Sequence, residues 1–394
     1  MNLASARLAD AASGADYAPS ALVDVYDRLD FAPAGGAGCE LVDADGRRLV
    51  DFYGGHAVAL LGYRHPRLLA ALREQAETLF FQSNAVPLAI RESAGRRLAA
   101  FAPRGLDRVF FVNSGAEANE NALRVAFKAS GRPRIVALEG AFHGRTAAAA
   151  AVTWKARWYG FPRSPFDVRF VPCEDADALA RALSPGDVAA VIVEPVQGVA
   201  GAVALSDDFL HAARRLTAEA GSLLIFDEVQ CGMGRSGWPF VAQAAGVTPD
   251  LLTTAKGLAG GFPAGAVLMG ERLASTLRRG DLGTTFGGGP LAMALVAATL
   301  EAITDDDLLV NVQARAAQIR ATCAVGPVVA ISGRGLLAGL RTRRPAQQVQ
   351  AELLAKGFLA GTSSDPHVVR LLPPLTISAA QVAALAAALA ELPA

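Results

Sequence analysis

Lysine is nearly absent from this 394-residue chain: Lys128, Lys155, Lys256 and Lys356 stand against 33 arginines. Any chemistry that needs a side-chain primary amine therefore has four candidate positions. Cysteine is equally scarce, and Cys39, Cys173, Cys231 and Cys323 include no CxxC pair. That argues against a zinc knuckle, any other metal site or a disulfide framework, and it predicts a reducing, cytoplasmic setting. No charge of one sign dominates, with 37 basic and 37 acidic residues, so neither nucleic acid nor a membrane surface is indicated as a partner. No apolar run reaches the ~18 residues of a membrane-spanning helix. Met1 to Ser20 is alanine-rich, but Arg7, Asp10 and Asp16 interrupt it where a signal peptide would keep an unbroken apolar core.

What is present is a globular composition, 52% hydrophobic and 19% charged, on a chain long enough for one large α/β domain and a smaller companion. Residues 39–52 read as a hairpin turning at Asp45-Gly46. Gly54-Gly55-His56-Ala57-Val58 reads as a glycine-flanked loop where backbone can approach a ligand closely. From residue 108 onward, short apolar runs at 109–112, 135–138, 189–193, 222–226, 251–254 and 266–269 alternate with helical segments. This predicts a mainly parallel sheet covered on both faces. A helix over 207–220 should be capped by Ser206 and ended by Gly221. The expected domains are an N-terminal segment 1–50 packing with the small domain, a large domain 51–290 and a small α+β domain 291–394.

Open α/β sheets place their chemistry at the carboxyl ends of strands, and several such ends carry polar residues. Asn113-Ser114-Gly115-Ala116-Glu117 joins the run 109–112 to a helix, whose N-terminus can cradle a phosphate on Ser114, Gly115 and Ala116. The same residues also have the S-x-x-E spacing of a capping box. In Gly140-Ala141-Phe142-His143-Gly144-Arg145-Thr146, Phe142 suits stacking on a planar group and Arg145 suits a carboxylate. Standing alone, that loop reads first as a core phenylalanine beside a surface arginine, and His143 is open in the same way, a lone histidine being more often a satisfied structural residue than a catalyst. Asp227 ends the run 222–226 as a buried acid that needs a cationic partner, or as a strand-end acid capping a helix. Of the four lysines, Lys256 alone follows a buried apolar run and precedes a glycine-rich turn. Burial there lowers its pKa and favours a nucleophilic amine.

Taken in order, NSGAEAN, FHGRT, EPVQG, IFDEVQCGMGRSG, AKGLAGGFP, TTFGG and RLLPPL, spanning about residues 38–378, resemble the class III, fold type I, pyridoxal-phosphate-dependent aminotransferases. Within that class the likeness is to the acetylornithine and succinylornithine branch. The resemblance implies that Lys256 carries the cofactor as a Schiff base and Asp227 partners its ring nitrogen. Phe142 would stack on the ring, Val229 contact its opposite face and Gln230 its hydroxyl. Ser114, Gly115 and Ala116 would hold the phosphate, joined by Thr285 from a second subunit, which implies a homodimer with shared sites. Arg370 and Arg145 correspond to carboxylate anchors, and Glu194 to an acid near the cofactor.

The same resemblance implies transfer of the distal amino group of an N-acylated ornithine, N2-acetylornithine first, to 2-oxoglutarate. Alternatives are succinylornithine, acyl-lysine, free ornithine or 4-aminobutyrate as donor, or an aminomutase. A binding relative without chemistry is disfavoured by the intact Asp227 and Lys256. Four positions depart from the usual pattern: Val199 replaces a glutamate that commonly pairs with the arginine at 370, His56 stands at the pocket wall, Ala59 replaces an asparagine, and Gly289 replaces the asparagine of TFGGNP. These departures bear on the substrate.

Overall fold

The computed structural model describes residues 21–155 and 160–394, so the leader reading of Met1 to Ser20 lies outside the described residues, as do Arg157 and Trp158 beside Lys155. A small antiparallel sheet opens the chain with β1 (Pro33–Ala37), β2 (Glu40–Asp43) and β3 (Arg48–Asp51). The expected hairpin is β2–β3, with Gly46 at φ +85° in its turn, a conformation that glycine adopts without a Cβ penalty.

The centre of the molecule is a seven-stranded sheet built from β4 (Arg108–Val112), β5 (Arg134–Leu138), β6 (Asp167–Val171), β7 (Val188–Val193), β10 (Leu223–Asp227), β11 (Leu251–Thr254) and β12 (Gly265–Met269). A short ribbon of β8 (Val196–Gln197) and β9 (Val203–Ala204) lies between β7 and β10 in sequence. The order across the sheet is β4-β12-β11-β10-β7-β5-β6, and β12 alone runs against its neighbours. Both faces are covered, which is why the strands read as continuous apolar runs. Ile225 and Val267 pack toward the helix Gly115–Ser130, whereas Leu224, Phe226 and Leu252 pack on the other side. β6 escaped the sequence reading because DVRFV keeps alternate residues exposed at the sheet's edge.

The helices form where their termini are satisfied. Ser206 Oγ accepts from Phe209 N at 3.1 Å, and Gly221 closes the helix Asp207–Ala220 in the left-handed conformation, as the sequence predicts. The long alanine-rich helix Pro290–Asp305 begins on proline and is buried along most of its length. Beyond it, β13 (Val328–Arg334), β14 (Leu337–Thr342), β16 (Gly361–Thr362) and β17 (Val368–Leu371) make a four-stranded antiparallel sheet, while β15 (Phe358–Leu359) pairs in parallel with β3. The chain ends in the helix Ala379–Ala390, capped by Ser378. No helix among the described residues is long and apolar enough to cross a membrane, and none of them forms a candidate metal cluster.

Candidate active site

The carboxyl ends of β10 and β11 meet the start of the helix Gly115–Ser130 around a cavity of about 300 Å³. Gly115, Ala116, Phe142, Arg145, Glu194, Val199, Asp227, Val229, Gln230 and Lys256 line it, together with Asn119, His143 and Gly144. Strand parity explains the placement of Asp227. It shares the face of Ile225, which is packed on the helix Gly115–Ser130, so its carboxylate meets residues of that helix.

Asp227 is 3% exposed and is held by three donors. Asn119 Nδ2 and His143 Nδ1 approach Oδ2 at 2.7 Å each, and the Val229 amide reaches Oδ1 at 3.0 Å. Thr253 at the end of β11 donates to Asn119 Oδ1 at 2.7 Å, which fixes the orientation of the asparagine amide. Asn119 closes the NSGAEAN motif, and its position there does not reveal this role. Its aim depends on how the helix docks on the sheet, which spacing alone does not reveal. His143, open between two readings, is the carboxylate's ring partner, and its Nε2 is buried without a hydrogen-bond partner.

Lys256 lies two residues beyond the end of β11 and adopts φ +47°, an uncommon conformation for a residue with a side chain. Burial lowers its amine's pKa, reinforced by Arg370 and opposed by Asp227 and Glu194. Glu194 accepts from the Phe142 amide at 2.7 Å and the Gly198 amide at 3.4 Å. Burial pushes its carboxyl up to about 7, with His143 pulling the other way.

The helix N-terminus carries a close approach that only glycine permits. A Cβ on Gly115 would lie 2.6 Å from Val229 Cγ1. Ser114 Oγ accepts from Glu117 N at 3.1 Å, the capping interaction, while the Glu117 carboxylate returns to the Asn113 amide and not to that of Ser114. Gln230 has a buried Oε1 without a partner, pressed so closely on Gly198 that a Cβ there would sit 1.6 Å from it.

Arg370 in β17 is 5% exposed and is held by backbone carbonyls, Nε donating to Thr362 at 2.6 Å and Nη1 to Gly198 at 3.1 Å. His56 sits in a left-handed turn where residues 54 to 57 all have positive φ, His56 at +67°. Its ring centroid is 4.7 Å from that of Tyr53, and burial lowers its pKa, helped by Arg370, Lys256 and Arg145. Thr285 does not line this cavity; it is exposed on the loop before the helix Pro290–Asp305.

Residues 25–392 match the model of the family described as aminotransferase class-III. The chain is 40% identical over 378 residues to the acetylornithine aminotransferase of Mesorhizobium japonicum, covering 92% of this chain and 93% of that protein. It is 44% identical over 352 residues to that of Streptomyces coelicolor, covering 87% and 86%. Among solved structures, the ornithine aminotransferase of Toxoplasma gondii is similar with a TM-score of 0.88 and 30% identity, over 94% of this chain and 91% of that one.

Proposed function

This chain belongs to the class-III aminotransferases, and from that premise we propose that it transfers the distal amino group of an N-acylated ornithine, N2-acetylornithine first, to 2-oxoglutarate. The observation that carries the proposal is the convergence of Lys256, Asp227 and the start of the helix Gly115–Ser130 on one cavity, in a chain that resembles acetylornithine aminotransferases over more than nine-tenths of its length. The enzyme depends on pyridoxal phosphate.

Three features of the site fit that cofactor. A buried carboxylate with three donors of its own retains acceptor capacity for a ring N–H. The glycine at the helix start leaves room where any side chain would collide, and Gln230, which lines the same cavity, keeps one amide oxygen without a partner while its Nε2 donates to His56 O at 3.4 Å. Pyridoxal phosphate supplies an aldehyde carbon that takes up amines and a pyridine ring that withdraws electrons from the neighbouring carbon.

In this reading the chain's own residues do the following. Asp227 keeps a proton on the ring nitrogen, steadied by His143 and Asn119. Lys256 holds the cofactor and then, as a free amine favoured by burial, takes a proton from the substrate carbon and returns it one position along. Gly115, Ala116 and Ser114 offer amides and a hydroxyl to the phosphate. Phe142 and Val229, which line the cavity, would enclose the ring, and Gln230 would meet its hydroxyl. Arg370 and Arg145 bind substrate carboxylates as charge-assisted pairs, and both act electrostatically on His56. Glu194 orders the Phe142 loop through the amide it accepts from.

We take the functional unit to be a cytoplasmic homodimer in which Thr285 of each copy completes the other's phosphate site. Support comes from the exposed patch beside it, where Phe286 is 66% and Phe80 is 69% exposed and the Phe81 and Phe286 rings lie 5.4 Å apart. Residues 51–290 are taken as the large domain and 291–394 as the small one, with the described part of 1–50 joined to the latter through β3 and β15.

A panel of amino donors tests the substrate: N2-acetylornithine, N2-succinylornithine, N2-acetyllysine, free ornithine and 4-aminobutyrate, each with 2-oxoglutarate and glutamate as readout. An N-acylornithine is expected to give the highest kcat/KM. Free ornithine or 4-aminobutyrate ahead of both N-acylornithines refutes the assignment, and isomerised product without 2-oxoglutarate indicates an aminomutase.

A further inference from the structure

Arg235 is the largest fully buried side chain among the described residues, and nothing in the proposed chemistry uses it. It lies five residues beyond Gln230, in the loop that follows β10. A buried guanidinium is expensive unless its donors are satisfied. Here Nη1 donates to the carbonyls of Pro373 and, at 3.4 Å, Leu336, whereas Nε and Nη2 have no hydrogen-bond partner. Leu336 immediately precedes β14 and Pro373 follows β17 by two residues, so one side chain spans the start of one strand and the exit of its neighbour. Those two strands are paired, with Gly339 opposite Arg370.

The backbone of the same residue adds a second tie. Its carbonyl accepts from the Leu336 amide at 2.9 Å, and a Cβ on Gly335 would lie 2.3 Å from that oxygen. The segment after Arg370 also rests on the wall that carries His56. Leu372 N donates to Phe52 O at 2.6 Å and Leu375 N to Leu60 O at 2.8 Å. That wall is shaped by Asp51, fully buried, which accepts from the Tyr53 and Gly54 amides at 2.7 and 2.8 Å and from the Tyr63 hydroxyl at 2.5 Å. Arg235 and Asp51 act on each other electrostatically without forming a direct ion pair among the described residues.

We propose that Arg235 is a positioning residue for the substrate-carboxylate site: it sets the exit of β17, and with it Arg370, against the Asp51-shaped turn that presents His56. The proposal rests on the reading of Arg370 as a carboxylate anchor and adds a residue outside the cavity that governs it. Asp227 and Lys256 are placed by β10, β11 and the helix Gly115–Ser130, so loss of the Arg235 tie leaves the cofactor's contacts in place. The consequence is a separation of effects that a merely structural role would not give.

The test uses the holoenzyme and glutarate, an unreactive dicarboxylate, as probe. Arg235→Met is expected to keep pyridoxal-phosphate affinity within about twofold of the parent while raising the glutarate Kd and the KM for 2-oxoglutarate about tenfold, with kcat changed by no more than about threefold. Arg235→Lys retains the charge on a side chain one bond shorter than the one that carries Nη1 to both carbonyls, and should lie between the two, about three- to fivefold above the parent. A glutarate Kd that stays at the parent value in Arg235→Met, or a glutarate affinity lost only in step with cofactor affinity and melting temperature, overturns the proposal. Should Arg235→Met not fold, Arg235→Lys decides, and an unchanged glutarate Kd there overturns it. Arg370→Ala separates the premise: undiminished glutarate binding in that variant refutes the anchor reading itself.

Discussion

Gly115→Ala is the most informative small change in the cofactor site. The added methyl would lie 2.6 Å from Val229 Cγ1 and 3.0 Å from Cγ2, distances that require one side to move. Val229 has little freedom, because its amide donates to Asp227 at 3.0 Å. Overpacking of this kind costs about 1–3 kcal/mol. Alanine in place of glycine returns up to about 1 kcal/mol of helix propensity, and that gain is shared by the apoenzyme and the loaded enzyme. Stability of the apoenzyme is therefore expected to fall by no more than about 2 kcal/mol, while cofactor affinity falls by between about fivefold and about a hundredfold. Titrating apoenzyme with pyridoxal phosphate by absorbance, alongside thermal melts, measures both quantities. Trimming the neighbour in the pair Gly115→Ala/Val229→Ala is expected to recover at least half of the lost binding energy. Unchanged affinity in the single variant, or no recovery in the pair, refutes a glycine requirement set by Val229.

Asp227→Asn places an amide where three N–H donors already converge and removes the buried negative charge; kcat/KM is expected to fall about two to three orders of magnitude, and a steady-state value within threefold of the parent contradicts the assignment. Burial pushes the Glu228 carboxyl up to about 7, against two amide donors that favour ionisation. The folded protein then binds a proton that the unfolded chain has released between about pH 4.5 and pH 7, so stability falls as pH rises through that window. Glu194, also raised to about 7, acts in the same direction. Between pH 5 and pH 7 the urea midpoint of the parent apoenzyme should decline relative to that of Glu228→Gln by the equivalent of about 2 kcal/mol, the lowered pKa of His56 and His65 acting the other way in both proteins alike; parallel profiles contradict the burial argument. Val199→Glu sets a carboxylate beside Gly198, whose carbonyl already accepts from Arg370 at 3.1 Å. Competition for the guanidinium should raise the KM for 2-oxoglutarate about tenfold with little change in kcat, and an unchanged KM contradicts Arg370 as the anchor.

The fold was legible wherever burial is two-sided. β5, β7, β10, β11 and β12 are fully or almost fully buried strands, and their apolar runs announce them to within a residue. β6 and β13 are missed because half-exposed strands mix polar with apolar positions and resemble loops, and β14, buried at all but Arg341, because Gly339 and Arg341 break its apolar run. The direction of β12 was equally hidden, since a buried antiparallel strand carries the same composition as a parallel one. Of the site, the residues at strand ends and the helix start were visible from position alone. The partners that make them work were not: Asn119 lies one turn into a helix, and His143 offered two readings until the carboxylate was found 2.7 Å from its ring nitrogen. Arg235 gave no sequence signal beyond its place in a motif, because its role comes from contacts more than a hundred residues away.

The central claim is that Lys256 is the residue that holds pyridoxal phosphate, and borohydride reduction of the purified enzyme followed by peptide mass mapping tests it most directly. One phosphopyridoxyl label per chain on the peptide containing Lys256 is the expected result. A label on Lys128, Lys155 or Lys356, or none at all on an enzyme that remains active, would contradict it.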